Sequence, residues 1–166
     1  MYFKQLTMLL ATAAAASTCI FAQADSSFVK DASEGGLAEV EIGQMAQEKG
    51  QSQAVKDFGA RMVADHSKAN DELKSIASRQ GLSVATSVGV KDEGLKLKLK
   101  ALSGESFDKA YMSAMVDDHQ KDVAAFQKET DSGTDPAIRS FAAKTLPTLK
   151  KHLAMAQKAA QEVGAK

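Results

Sequence analysis

Three histidines, His66, His119 and His152, are the side chains of this sequence best suited to chemistry. Each falls on an apolar stripe of helical period. His66 continues Val55, Phe58 and Met62 toward Ala69, Leu73 and Ile76. His119 lies between Met115 and Val123 on a stripe that runs from Phe107 to Phe126, and His152 between Leu149 and Ala156 on one that begins at Ile138. They stand 14 residues past Ser52, 14 past Glu105 and 17 past Asp135. At about 1.5 Å of rise per residue, all three can lie within about one turn of a common level. Glu39 sits at the edge of a fourth stripe, four residues after Gly35 and three before Ile42, whereas Glu41 points further toward solvent.

A polar group on a buried stripe needs a partner. Three inward imidazoles and one inward carboxylate could satisfy one another through a metal ion, and a His₃ or His₃Glu set suits Zn²⁺ or copper. The competing reading is a core in which each histidine bonds a nearby carboxylate or carbonyl, with Asp65, Asp117, Asp118 and Asp122 close in sequence. Ligating atoms about 3–5 Å apart would favour the metal, since its bonds are near 2 Å. A di-iron carboxylate centre lacks its Glu-x-x-His pairs: the residues three before the histidines are Val63, Val116 and Leu149. Asp122, three after His119, is the carboxylate that shares a histidine's face. Met62, Met115 and Met155 lie one turn from a histidine and could add thioethers for Cu(I), although methionine on a stripe commonly fills core.

Four long segments must position these groups: about 28–49, 52–80, 105–130 and 136–163. Gly50, Gly81 and Gly133 stop the first three, and Asp135-Pro136 caps and opens the fourth. The links near 50 and 133 are short and imply antiparallel neighbours. Residues 82–104 form a longer connection. Its Leu95-Lys96-Leu97-Lys98-Leu99-Lys100 alternation formally reads as a strand, but a single strand has no partner for its backbone. Leu95, Leu99 and Leu102 also fit a helical face, so a short helix within a crossover is expected. The fold class is therefore all-α: a four-helix bundle, ferritin-like, with a long crossover between helices two and three carrying a short extra helix. Simple up-down-up-down order is the alternative. Pro147 falls inside the last helix and predicts a kink there, one turn before His152.

The chain has 166 residues, 21 basic and 21 acidic, and no net charge. That balance argues against a nucleic-acid partner bound by phosphate neutralisation. Two prolines, 5% aromatics and no tryptophan fit helices rather than a β fold. No phosphate loop or nucleophilic-serine motif is present, and the lysines of 91–100 read as solvated surface or as a contact for anionic lipid or a partner.

The first 24 residues read as a secretory signal: Lys4, an uncharged apolar run from Leu6 to Phe21, then Ala22-Gln23-Ala24 before Asp25. Cleavage there leaves one domain, 25–166, with 20 basic and 21 acidic residues and without Cys19. Acylation of Cys19 as a lipoprotein fits poorly, because Thr18 stands where glycine or alanine is usual. A periplasmic or secreted protein follows, with no membrane span in the mature chain.

Several blocks in order resemble a known family: Phe28-Val29-Lys30, Ala38 to Gly43, Phe58 to His66, Leu102-Ser103-Gly104, Phe107 to Tyr111, Asp118-His119, Thr145-Leu146-Pro147 and His152-Leu153. They are similar to an exported bacterial domain-of-unknown-function family classed as ferritin-like, whose members often carry an outer-membrane label. The resemblance implies a four-helix bundle outside the cytoplasm and brings no activity. It carries a glutamate, Glu39 or Glu41, and the histidines His66, His119 and His152. The expected function is a helical bundle that binds Zn or Cu, or an envelope protein partner, in envelope stress or metal handling. The alternatives are a purely structural or interaction bundle, and a metal-dependent redox or hydrolytic enzyme.

Overall fold

Long runs of helical period, ended by local stop signals, dictate the elements. The computed structural model describes residues 11–165, with side chains from Asp25 onward, so Lys4 and the first ten residues of the expected leader lie outside the described residues. Five helices are present: α1 (Ala11–Lys49), α2 (Gln53–Arg79), α3 (Val90–Ala101), α4 (Gly104–Ser132) and α5 (Pro136–Val163). Among the described residues there is no strand, so the Leu-Lys alternation of 95–100 is helical, as its Leu95/Leu99 face predicts. The first helix, expected from near Phe28, already runs through the first described residue, Ala11. The alanine-rich run at 11–16 has the highest helix propensity, and no glycine or proline follows until Gly35. Among the described residues no helix is long and apolar enough to cross a membrane.

The ends follow local chemistry. The Ser52 hydroxyl accepts from the Ala54 amide at the start of α2. Asp135 Oδ1 accepts from the Ala137 and Ile138 amides, with Pro136 at the first turn of α5. Gly81, at φ +69°, closes α2 while the Leu82 amide donates to Ala77 O, a Schellman ending. Helix α5 runs unbroken through Pro147. That proline is exposed, as is Ala143, whose carbonyl loses its helical donor and can take water instead.

The main packing is α1 on α2 and α4 on α5, with α2 against α5 and α1 against α4. Paired residues run in opposite directions in every case: Gly43 meets Gly59, Phe126 meets Phe141, Asp65 meets His152 and Phe28 meets Phe126. Helix α3 lies along α1, where Lys96 pairs with Glu41 and Lys49 Nζ donates to Leu99 O and Lys100 O. Each hairpin loop is held by an aspartate of another helix. Asp108 of α4, 2% exposed, accepts from the Gln51 and Ser52 amides at 3.0 and 2.7 Å. Asp25 of α1 accepts from the Thr134 and Asp135 amides at 3.0 and 2.8 Å and from the Thr134 hydroxyl.

The core divides in two. One cluster contains Ile42, Phe58, Met62, Leu99, Tyr111, Met115 and Ala156, and the other Val29, Leu73, Phe126, Phe141 and Leu149. Along each of α1, α2, α4 and α5 the chain passes from one cluster to the other, and one buried polar residue marks the change: Glu39, His66, His119 and His152. Burial of these large side chains, worth about 1.5–3 kcal/mol each, holds that polar layer from both sides.

Candidate metal centre

Backbone contact sets the α1–α2 side of the polar layer. A Cβ on Gly59 would stand 2.6 Å from Gly43 O and 2.8 Å from Ala46 Cβ, so only glycine admits this approach. Gly43 is one turn after Glu39 and Gly59 two turns before His66, and the close crossing brings the two side chains together. Glu39 Oε2 lies 2.8 Å from His66 Nδ1. Its other oxygen, Oε1, lies 3.4 Å from His119 Nε2. Glu41, by contrast, faces Lys96 near the surface.

The three imidazoles meet. Ring centroids are 5.8 Å apart for His66–His119, 5.3 Å for His66–His152 and 5.4 Å for His119–His152. Each ring offers one ligand atom, and the three atoms lie within 4.8 Å of one another. Glu39, His119 and Asp122 form a second such group with the same limit. The four residues expected to form a site are thus gathered. Asp122 joins them, as its place on the His119 face suggested.

One nitrogen of each ring is anchored and the other is bare. His119 Nδ1 donates to Met115 O at 3.0 Å, His152 Nε2 donates to Asp65 Oδ2 at 2.8 Å, and His66 Nδ1 faces Glu39. The Met115 carbonyl and the Asp65 carboxylate select the neutral tautomers that leave His119 Nε2 and His152 Nδ1 as lone pairs, and Glu39 does the same for His66 Nε2 when it is ionised. All three atoms are buried and have no hydrogen-bond partner, and the same holds for Glu39 Oε1. Carboxylates and carbonyls on the far nitrogens are the usual outer partners of metal-bound histidines.

Burial governs the protonation states. It pushes His66 down to about 4 and lowers His119 and His152, so the rings are neutral at pH 7. Burial also lifts Glu39 to about 7 against the pull of His119, and raises Asp122 well above the usual carboxylate range. Neutral imidazoles with inward lone pairs are ready to ligate, and a cation at their centre would return both carboxylates to the ionised form. The donor set, three imidazole nitrogens with one or two carboxylate oxygens, fits Zn²⁺ and Cu²⁺. The methionines divide differently: Met62 and Met115 are fully buried in the Phe58–Tyr111 cluster, and Met155 is 40% exposed.

Asp65 is the residue whose part sequence spacing could not assign. It adjoins His66 in the chain yet serves His152 on another helix. A small cavity of about 20 Å³ touches Glu39, His66 and Asp122. A cleft of about 160 Å³ between α2 and α5 reaches His66 and His152 from outside, past Lys68 and Lys144.

Among solved structures, a protein from Streptomyces coelicolor, described as a secreted protein of the family DUF305, matches with a TM-score of 0.71 at 16% identity, over 86% of this chain and 95% of that one. That likeness is one of fold. No curated protein sequence matches the chain. A domain of unknown function, DUF4142, matches residues 10–159, nearly the whole length. The chain belongs to the DUF4142 family.

Proposed function

We propose that this protein is an exported helical bundle that binds one transition-metal ion, Zn²⁺ or Cu²⁺, through His66, His119 and His152, with Glu39 as orienting partner and reserve ligand. The observation that carries the reading is a group of three buried histidines that each offer a ligand atom within 4.8 Å of the others and each keep one ring nitrogen without a hydrogen-bond partner. Buried ring nitrogens without a hydrogen-bond partner cost about 1–3 kcal/mol each, a cost that a bound cation removes. Metal handling outside the cytoplasm follows from the leader-like residues 1–24. The antiparallel pairings, with α3 between the two hairpins, support a ferritin-like four-helix bundle with a crossover.

Metal content of the purified protein tests this. The expectation is one Zn or Cu per chain, removed by a strong chelator and abolished in His66→Gln/His119→Gln. A protein that retains neither metal, and whose thermal midpoint is unchanged by either, refutes it. The cleft reaching His66 and His152 favours a second reading, in which the ion keeps an exchangeable position for a small ligand, as catalytic sites do. A shift in the Cu²⁺ spectrum on adding azide would support that position, and an unchanged spectrum would remove it.

A further inference from the structure

A third opening lies on the opposite side of the bundle. A cleft of about 310 Å³ between α1 and α4 is lined by Asp25, Asp31, Asp122 and Glu129, with Lys128 the one basic residue of its lining. Asp25 is committed to the α4–α5 loop. Glu129 is 7% exposed, and its Oε1 has no hydrogen-bond partner. The cleft shares Ala32, Asp122 and Phe126 with the small inner cavity that touches Glu39 and His66. Asp122 therefore stands between the solvent-facing acidic cleft and the buried centre. It belongs with Glu39 and His119 to a group whose ligand atoms lie within 4.8 Å of one another, and both Glu39 Oε1 and His119 Nε2 are buried and unpartnered.

We propose that a divalent metal ion enters through this α1–α4 cleft and is held first at an outer position formed by Glu39, His119 and Asp122, then passes to the three-histidine position. The inference rests on the metal-binding reading above and adds a route and a second ion position to it. His119 Nε2 belongs to both ligand groups, because its Nδ1 is tied to Met115 O, so the positions are occupied in turn and not together. The chemistry of the two stations differs in the right order. Carboxylate oxygens replace the water shell of an arriving hydrated ion, and imidazoles bind the stripped ion more strongly. His119 and Glu39 can hold the ion throughout, while Asp122 leaves as His66 and His152 enter. The acidic lining raises the local cation concentration at the mouth.

Stopped-flow uptake of Zn²⁺ by the metal-free purified protein, followed by endpoint metal content, tests the route. Wild-type uptake should slow as ionic strength rises. Asp31→Lys, at an exposed position of the cleft mouth, should slow uptake severalfold at low salt while the endpoint stays at one Zn²⁺ per chain. Asp122→Asn should slow uptake and release together by about tenfold or more, since removing a waypoint raises the barrier in both directions. Wild-type rates in either variant overturn the proposal. So does an Asp122→Asn protein that releases Zn²⁺ faster with unchanged uptake, which would make Asp122 a ligand of the final position. A wild-type endpoint of zero is a different failure, that of the three-histidine reading itself, and is seen in the metal content rather than the rate.

Discussion

His119→Leu should separate a metal centre from a satisfied core by the sign of its effect. His119 is fully buried, its Nε2 has no partner, and its Nδ1 donates to Met115 O at 3.0 Å. Without metal, leucine removes an orphaned polar atom, a gain of about 1–3 kcal/mol, and gives up one hydrogen bond worth about 1 kcal/mol. Volume changes little, so no large cavity term enters. The metal-free variant should therefore match the metal-free wild type or exceed it by up to about 2 kcal/mol. With Zn²⁺ at about 100 times its dissociation constant the wild type gains about 2.7 kcal/mol and the variant gains none. At about 2.1 cal/mol/K of unfolding entropy per residue, that gain for a domain of some 140 residues raises Tm by about 9 °C. Differential scanning calorimetry of both proteins, with chelator and with Zn²⁺, reads all four values. A wild type indifferent to Zn²⁺, together with a variant several kcal/mol weaker in chelator, would refute the reasoning and leave a histidine that serves packing alone.

Three further outcomes are expected. Asp65→Asn loosens the hold on His152 and should weaken Zn²⁺ binding about 10- to 100-fold while the metal-free Tm moves little, as read by competition with a chromogenic chelator. Glu129 is lifted to about 7 by burial and the neighbouring Asp25, against about 4.5 unfolded, so between those values the native state holds a proton that the unfolded chain has lost. Stability should fall as pH rises through that window, by at most about 3 kcal/mol and less where cleft water screens the group, and Glu129→Gln should be more stable than wild type at pH 8 but not at pH 4. Asp108→Ala strips two amides of the α1–α2 loop of their acceptor and should cost about 2–4 kcal/mol in urea denaturation, whether or not metal is present.

Much of this architecture was legible from spacing. The stripes through His66, His119 and His152 place each ring on an inward face, and helical rise alone brings them to one level, because both depend on local geometry that every α-helix shares. The helix over Ala11 to Phe28 was not legible, because that stretch carries the composition of a leader and of a helix at once. Nor were the aspartate clamps, since Asp25 and Asp108 act on loops more than 50 residues away.

The residue pattern alone thus settled which side chains face inward and at what height, because periodicity along one helix is a one-dimensional property. Which imidazole nitrogen is bare, that Asp65 serves His152 rather than its neighbour His66, and that Asp122 lies between an acidic cleft and the centre were decided only by packing. These depend on the rotation and separation of helices about one another. The close glycine crossing of α1 and α2, where a Cβ on Gly59 would stand 2.6 Å from Gly43 O, fixes one such separation, and no repeat in the chain encodes it.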